Sequence, residues 1–462
     1  MITQREIYLD ANATHQLLPA VRQGLAEALL TEDASLSNPA SIHRRGQKAK
    51  ASVAKFRDLM CEVLGRPDGD EFIFLSGATE ALNTVLKGFV AEKIQAGRTP
   101  VLLASTVEHK AVLDTLEALK AEGVRSELVG VDRDGQLKQD ELFAKLSDLL
   151  AQENVDVLLC LQLTNNETGV SFALPEIFTK VGESFGPKPL PKLPKLKGGR
   201  TQMTPQRIWI CLDAAQAFCK IDDAFVRSAL HFADYMAFSA HKIGGPPGIG
   251  ALWVRASSPL RALITGGTQE RKRRAGTLNS LGLLGFKIAM QDWVNHGAAY
   301  RARWVTLRDR LAAELRQIPG LVIHGETRQG SLPTLSNTLN FHVEGCPEES
   351  LLLSLDLDGF CLSSGSACNS GSLKPSHVLM AMGYSKDVGL SSIRVSLGTE
   401  TTAEEVEEFI KSARAKVAQI RAARQESAAI FGTEETTEET SGETSEQAVK
   451  VATNSGDTLT QT

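Results

Sequence analysis

No apolar run in the sequence approaches the roughly 18 residues that a bilayer-spanning helix needs, which excludes a membrane-embedded class. The first residues, Met1-Ile-Thr-Gln-Arg-Glu6, lead straight into Ile7-Tyr-Leu9, with neither a basic segment before an apolar one nor an Arg/Ser-rich transit stretch. Seven cysteines, odd in number and irregularly spaced, do not make a disulfide framework. No cysteine pair has zinc-ligand spacing either; Cys211 and Cys219 stand too far apart for a knuckle, so no metal is expected. A basic surface for nucleic acid is also missing. The net charge of -5 is concentrated in residues 427–462, where seven acids face the single base Lys450, leaving the rest of the chain at about +1. Internal repeats are lacking too. These absences predict a cytoplasmic, reduced protein without membrane or direct nucleic-acid partners.

What is present is alternation. Short apolar runs at 71–75, 100–104, 155–161, 207–212, 235–238 and 250–254 are separated by helical periods, the pattern of an α/β domain around a mostly parallel sheet. Ala49, Val53, Phe56, Met60 and Leu64 recur at threes and fours until Gly65 and Pro67 stop them. A late helix starts at a capping box, Thr402 with Glu405, and carries Val406, Phe409, Ile410, Ala413, Val417 and Ile420 on one face. Two segments stand apart. Residues 186–207 hold six basic residues, five prolines and no acid, and read as an exposed polyproline-like excursion: a tolerated insertion, or a basic docking arm for an acidic partner. Residues 427–462 are rich in Thr, Glu and Ser and are expected to be a disordered acidic tail.

Polar residues gather at the predicted strand ends, where open parallel sheets bind their ligands. After residue 75 comes Ser76-Gly-Ala-Thr-Glu80 and a helical stretch, a turn that serves as a phosphate site or simply as a helix cap. After Leu212 comes Asp213-Ala-Ala-Gln216; a carboxylate there needs a cation, which a protonated ring nitrogen or a Lys or Arg of the fold would supply. Ser239-Ala-His-Lys242 follows the next run, and a lysine between two apolar strands can give up its proton and condense with an aldehyde. His109 is suited to stacking on an aromatic ring and to moving protons, and Asn165 and Asn166 offer neutral hydrogen bonds; singly, each is equally a cap or a turn residue. Cys368 sits among Ser and Gly residues too small and polar for a core, so its thiol is expected on an exposed loop. Arg394 lies in a short alternating strand and suits a bidentate grip on an amino-acid carboxylate.

Together these residues resemble the NifS/IscS-like cysteine desulfurases, long-loop group, within the class-V aminotransferase family of fold-type I pyridoxal-phosphate enzymes. The resemblance runs from Tyr8-Leu-Asp-Ala-Asn-Ala-Thr14 to about residue 421. It includes Asn38-Pro-Ala-Ser41, Glu108-His-Lys110, Asn165-Asn-Glu-Thr-Gly169, Arg274-Ala-Gly-Thr277, Ser363-Ser-Gly-Ser-Ala-Cys368 and Ser391-Ser-Ile-Arg394, besides the turns already quoted. It implies a large domain, 15–264, with a seven-stranded mostly parallel sheet, and a smaller α+β domain from 1–14 and 265–426 that carries the cysteine loop and Arg394. It implies pyridoxal 5′-phosphate held covalently by Lys242, with Asp213 on the pyridinium, Gln216 on the phenolic oxygen and His109 stacked on the ring as acid/base. Thr79, Ser239, His241 and the amide of Ala78 would hold the phosphate, joined by Thr277 across a homodimer interface. Arg394, Asn165 and Asn38 would hold the substrate carboxylate, and Cys368 would take sulfur from L-cysteine as a persulfide, leave L-alanine, and pass the sulfur to an acceptor protein, scaffold or carrier, for iron–sulfur cluster or other cofactor assembly. His15 departs from the family's second threonine, a change expected at the rim of the cleft. Selenocysteine or sulfinate cleavage, aminotransfer, and an idle sulfur-relay subunit are the competing readings.

Overall fold

The structure is a computed structural model that describes residues 5–65, 70–186, 207–256, 258–326, 334–364 and 374–431. The excursion expected at 186–207, apart from its two end residues, and the tail beyond 431 lie outside the described residues. The chain through Ile420 forms one compact unit. Within it β1 (Ile7–Tyr8) precedes a seven-stranded sheet made of β2 (Glu71–Leu75), β3 (Thr99–Ser105), β4 (Arg125–Val129), β5 (Val155–Gln162), β6 (Ile208–Asp213), β7 (Tyr235–Ser239) and β8 (Gly250–Val254). The spatial order is β2-β8-β7-β6-β5-β3-β4, and only β8 runs against its neighbours.

The strands read as near-continuous apolar runs because the sheet is covered on both faces. All eight residues of β5 are buried. Alternation then sorts them: Val157, Leu159 and Leu161 join one core with Ile210, Leu212, Met236 and Phe238. Leu158 and Cys160 join the other with Trp209, Cys211, Tyr235 and Ala237, under the helices Ala78–Gln95 and Lys110–Ala121. The helix Arg44–Leu64 buries the expected stripe of Ala49, Val53, Phe56, Met60 and Leu64. It ends at Gly65, whose φ of +61° is open to glycine at little cost. Phe56 stacks on Phe74 at 5.1 Å, joining that helix to β2.

A second, four-stranded sheet contains β9 (Leu321–His324), β10 (Thr338–Val343), β12 (Ser363–Ser364) and β13 (Ser392–Ser396) in the antiparallel order β12-β13-β10-β9. The remaining strand, β11 (Phe360–Cys361), pairs in parallel with β1. The last helix, Ala403–Phe431, opens with the expected capping box: Thr402 N–H donates to the Glu405 carboxylate at 3.0 Å and Glu405 N–H to Thr402 Oγ1 at 3.2 Å. It runs past Glu426, where the tail was expected to begin. No described helix is long and apolar enough to cross a membrane.

Candidate active site

Strand register puts the chemistry together. Gln162 at the end of β5 lies beside Asp213 at the end of β6, and Asp213 beside Ala237 of β7. Lys242 follows on the short turn Ala240–Ile243. Its Nζ donates to the carbonyls of Asn12 and Ala13, both at 2.8 Å. Asp213 is buried, accepts the amide of Ala215 at 2.9 Å, and has its pKa raised by that burial against the opposing pull of His109 and Lys242. Gln216 Nε2 donates to the same Asn12 carbonyl at 2.9 Å. Behind it stands a residue that the sequence reading overlooked: Lys220, 1% exposed, whose Nζ donates to Gln216 Oε1 at 2.6 Å and Asn12 Oδ1 at 2.7 Å. Asn12 was also overlooked. It touches the turn after β6 through Gln216 and Lys220, and β10 through Thr338 Oγ1, 2.8 Å away, with Asn337 just before that strand.

The phosphate-type turn is built by a close approach. Gly250 begins β8 opposite Ser239, and a Cβ there would stand 2.5 Å from the Phe238 carbonyl and 2.6 Å from Gly77 Cα. With no side chain at 250, Gly77 and the first turn of Ala78–Gln95 sit against Ser239; a Cβ on Gly77 would point to within 3.8 Å of Ser239 Oγ. The first amides of that helix, Ala78 and Thr79 among them, have no intrahelical acceptor and make an anion cradle. His241 accompanies them; burial, with Lys242 and Lys220 nearby, lowers its pKa to about 4, and its Nδ1 lies 3.2 Å from Thr14 Oγ1.

His109 caps the helix Lys110–Ala121, its Nδ1 accepting from the Ala111 amide at 3.1 Å. Burial lowers its pKa while Asp213 pulls the other way. The neighbouring Glu108 is wholly buried; Ser105 Oγ donates to it at 2.5 Å, and Oε2 has no hydrogen-bond partner among the described residues. Burial pushes its pKa up to about 8.

Arg394 projects from β13 and is 5% exposed. It donates to Asp10 Oδ1 at 2.7 Å and to the Asn166 carbonyl at 3.1 Å, and its Nε has no partner among the described residues. Asn165 is committed to its own turn: Oδ1 accepts from the amides of Glu167 and Thr168, and Nδ2 donates to the Val107 carbonyl at 3.2 Å. Asn38 is exposed, its side chain accepting from the Ala40 amide, and Thr277 is exposed as well; within this one chain neither is drawn into the cluster around Lys242. His15 is not a rim residue: it is 3% exposed, bound to the Gln16 carbonyl at 2.6 Å and to the Thr399 amide at 3.0 Å, and pins the amino-terminal segment to the turn after β13.

Cys368 and residues 365–373 lie outside the described residues, but both flanks belong to the site. Ser363 pairs with Arg394 across β12 and β13. On the far side Ser376 Oγ donates to Glu167, and His377 Nε2 lies 3.0 Å from the Glu108 carbonyl, next to His109.

The model for aminotransferase class-V proteins matches residues 7–184 and 199–409, nearly the whole described chain. The chain belongs to the class-V aminotransferase family. Curated members similar to it include a cysteine desulfurase of Trichormus azollae, 34% identical over 90% of this chain and 94% of that one. The cysteine desulfurase IscS of Pectobacterium carotovorum is 35% identical over 90% of this chain and 93% of its own. Among solved structures, a NifS-like protein superposes with a TM-score of 0.74 at 28% identity, covering 90% of this chain and all of that one. A structure described as SspA in complex with cysteine gives 0.66 at 25% identity, over 86% and 100%. The class-V family works with pyridoxal 5′-phosphate. The donor set fits that group: an amine, a buried carboxylate, an imidazole, an amide donor, and an open cradle at Gly77 beside a helix amino terminus.

Proposed function

We propose that the protein is a cysteine desulfurase that converts L-cysteine to L-alanine and carries the released sulfur as a persulfide on Cys368. The observation that carries the reading is the convergence of Lys242, Asp213, Gln216 and His109 beyond the ends of β3, β6 and β7, with Arg394 and both flanks of the Cys368 loop beside them. The similarity to curated cysteine desulfurases supports the choice of substrate. Pyridoxal phosphate, once bound through Lys242, would supply an electron sink for the charge left on the substrate.

The chain's own groups divide the remaining work. The amides of Ala78 and Thr79, with Ser239 and His241, hold the phosphate, and a neutral His241 does so as a hydrogen-bonding group. Asp213 would face the ring nitrogen, where a buried carboxylate would gain the cation it needs, and His109 would stack over the ring. Gln216 would donate from Nε2 to the ring oxygen. Arg394 grips the substrate carboxylate, assisted by the remaining N–H of Asn165, and Lys242 Nζ removes the α-proton. The Cys368 thiolate then attacks the substrate sulfur. Its S–S bond forms as the substrate's Cβ–S bond breaks, Cβ takes up a proton and Cα regains one from Lys242, giving alanine and the persulfide with no outside oxidant or reductant. A homodimer with Thr277 completing the neighbouring phosphate site, a sulfur-acceptor protein, and a cytoplasmic setting complete the proposal.

The test is alanine and sulfide release from L-cysteine by the purified, cofactor-loaded protein with a thiol reductant. Equal alanine and sulfide, lost in Cys368→Ala while its visible cofactor band persists, is expected. Unchanged turnover in Cys368→Ala would overturn the persulfide route, and transamination of cysteine without sulfide would favour an aminotransferase.

A further inference from the structure

Lys220 occupies an unusual place. It is 1% exposed, stands four residues after Gln216, and among the described residues its amine bonds to two side-chain amides and no carboxylate. Lysine is a donor only, so whatever it touches must present oxygen. The oxygen of Gln216 therefore faces Lys220, and its NH2 group must face the other way, where it meets the Asn12 carbonyl at 2.9 Å. The same logic fixes Asn12. Its oxygen accepts from Lys220 and from Asn337 Nδ2, so its NH2 group turns to Thr338 Oγ1 and the Asn166 carbonyl. The Asn12 carbonyl is in turn an acceptor for Lys242 Nζ. One buried amine thus sets the polarity of two amides, one of them on the residue whose carbonyl receives Lys242.

We propose that Lys220 is a positioning residue that locks the Gln216 amide with its NH2 group toward the cofactor oxygen and fixes the Asn12 carbonyl on which Lys242 rests. Burial, with Lys242 and Arg394 nearby, pulls its pKa well below the ordinary lysine range. The inference rests on the proposed role of Gln216.

The test is a pH titration of the visible absorption band of the loaded protein in Gln216→Met, Lys220→Met and the double variant, with cofactor dissociation constants and melting curves measured in parallel. Removing an aligned donor from the ring oxygen leaves its anion less stabilised, so the band's apparent pKa should rise by about one unit, the size of one such hydrogen bond. Lys220→Met should reproduce the shift of Gln216→Met, and the double variant should add nothing further. Lys220→Gln, which accepts as readily as it donates and keeps a polar group in the space, is expected to show the same shift even if the methionine variant folds poorly. A shift in Gln216→Met with none in either Lys220 variant would overturn the role of Lys220. No shift in Gln216→Met would overturn the Gln216 reading and the inference with it.

Discussion

Arg394 offers the sharpest separation of a structural from a substrate-binding role. Its guanidinium makes two charge-assisted hydrogen bonds, to Asp10 Oδ1 and the Asn166 carbonyl, and its side chain is 6% exposed against 18% for that of Asp10. Removing one partner of a largely buried pair costs about 3 kcal/mol, since the carboxylate is left behind without its cation. Arg394→Ala should therefore lose stability of that order in urea unfolding. Asp10→Asn should lose less, because an amide oxygen still accepts. Catalysis should order the variants differently. If the guanidinium also grips the substrate carboxylate, Arg394→Ala forfeits a further bidentate contact worth about 3 kcal/mol, which is a fall of roughly 100-fold in kcat/KM, carried mainly by KM. Asp10→Asn keeps the fork and should stay within about fivefold. Arg394→Lys keeps the charge without the fork and should fall between them. The assay is alanine formation against L-cysteine concentration in the loaded protein. Equal KM changes in Asp10→Asn and Arg394→Ala would refute the reasoning, since they would reduce Arg394 to a structural partner of Asp10.

Other outcomes follow from the buried groups. Glu108 has a folded pKa raised to about 8. The folded state then holds a proton that the unfolded chain releases above about pH 4.5, so Glu108 depresses stability increasingly from pH 4.5 to 8. Glu108→Gln should thus gain a few kcal/mol over the parent at pH 8 and little at pH 5, read by denaturant midpoints; a pH-independent difference would contradict the assignment. His15 and His324 are held neutral, each with a pKa lowered to about 4, mainly by burial. Their contribution is complete above pH 6.5 and is lost as pH falls from 6.5 to 4, about 3 kcal/mol each, so His324→Gln should flatten the acid limb of the stability profile. Gly250→Ala forces a Cβ against the Phe238 carbonyl and Gly77, and should weaken cofactor retention at least tenfold in dialysis, whereas Gly97→Ala, with nothing within 4 Å of its Cβ, should leave retention unchanged.

Much of this was legible before any coordinates. The central strands were read to within about a residue because burial on both faces makes them continuous apolar runs, and the capping box of the last helix is a local pattern. The edge strand β4 and most strands of the small sheet passed unnamed, as their short, partly polar runs look like turns. Lys220 did leave a trace: a lysine among Ala217, Phe218, Cys219 and Ile221 is out of place unless it is buried and partnered. Asn12 left none. Its partners lie between 154 and 384 residues further along, and no local pattern announces that convergence. His15 was misplaced for the same reason, since its acceptor role toward the Thr399 amide depends on a turn 384 residues away.

That distance has a consequence for the order in which the molecule is made. The segment carrying Asp10 and Asn12 leaves the ribosome 325 to 384 residues before its partners Asn337, Thr338, Arg394 and Ser396. The large sheet can close without them, since its last strand ends at Val254. During translation the nascent chain therefore carries an assembled scaffold with an unfastened amino terminus for about 140 further residues, on the order of ten seconds at ordinary elongation rates. The pocket around Lys242 is sealed only once Ser396 has emerged, so any chain cut short before Ser396 would expose an amine that the amino-terminal segment does not yet hold in register.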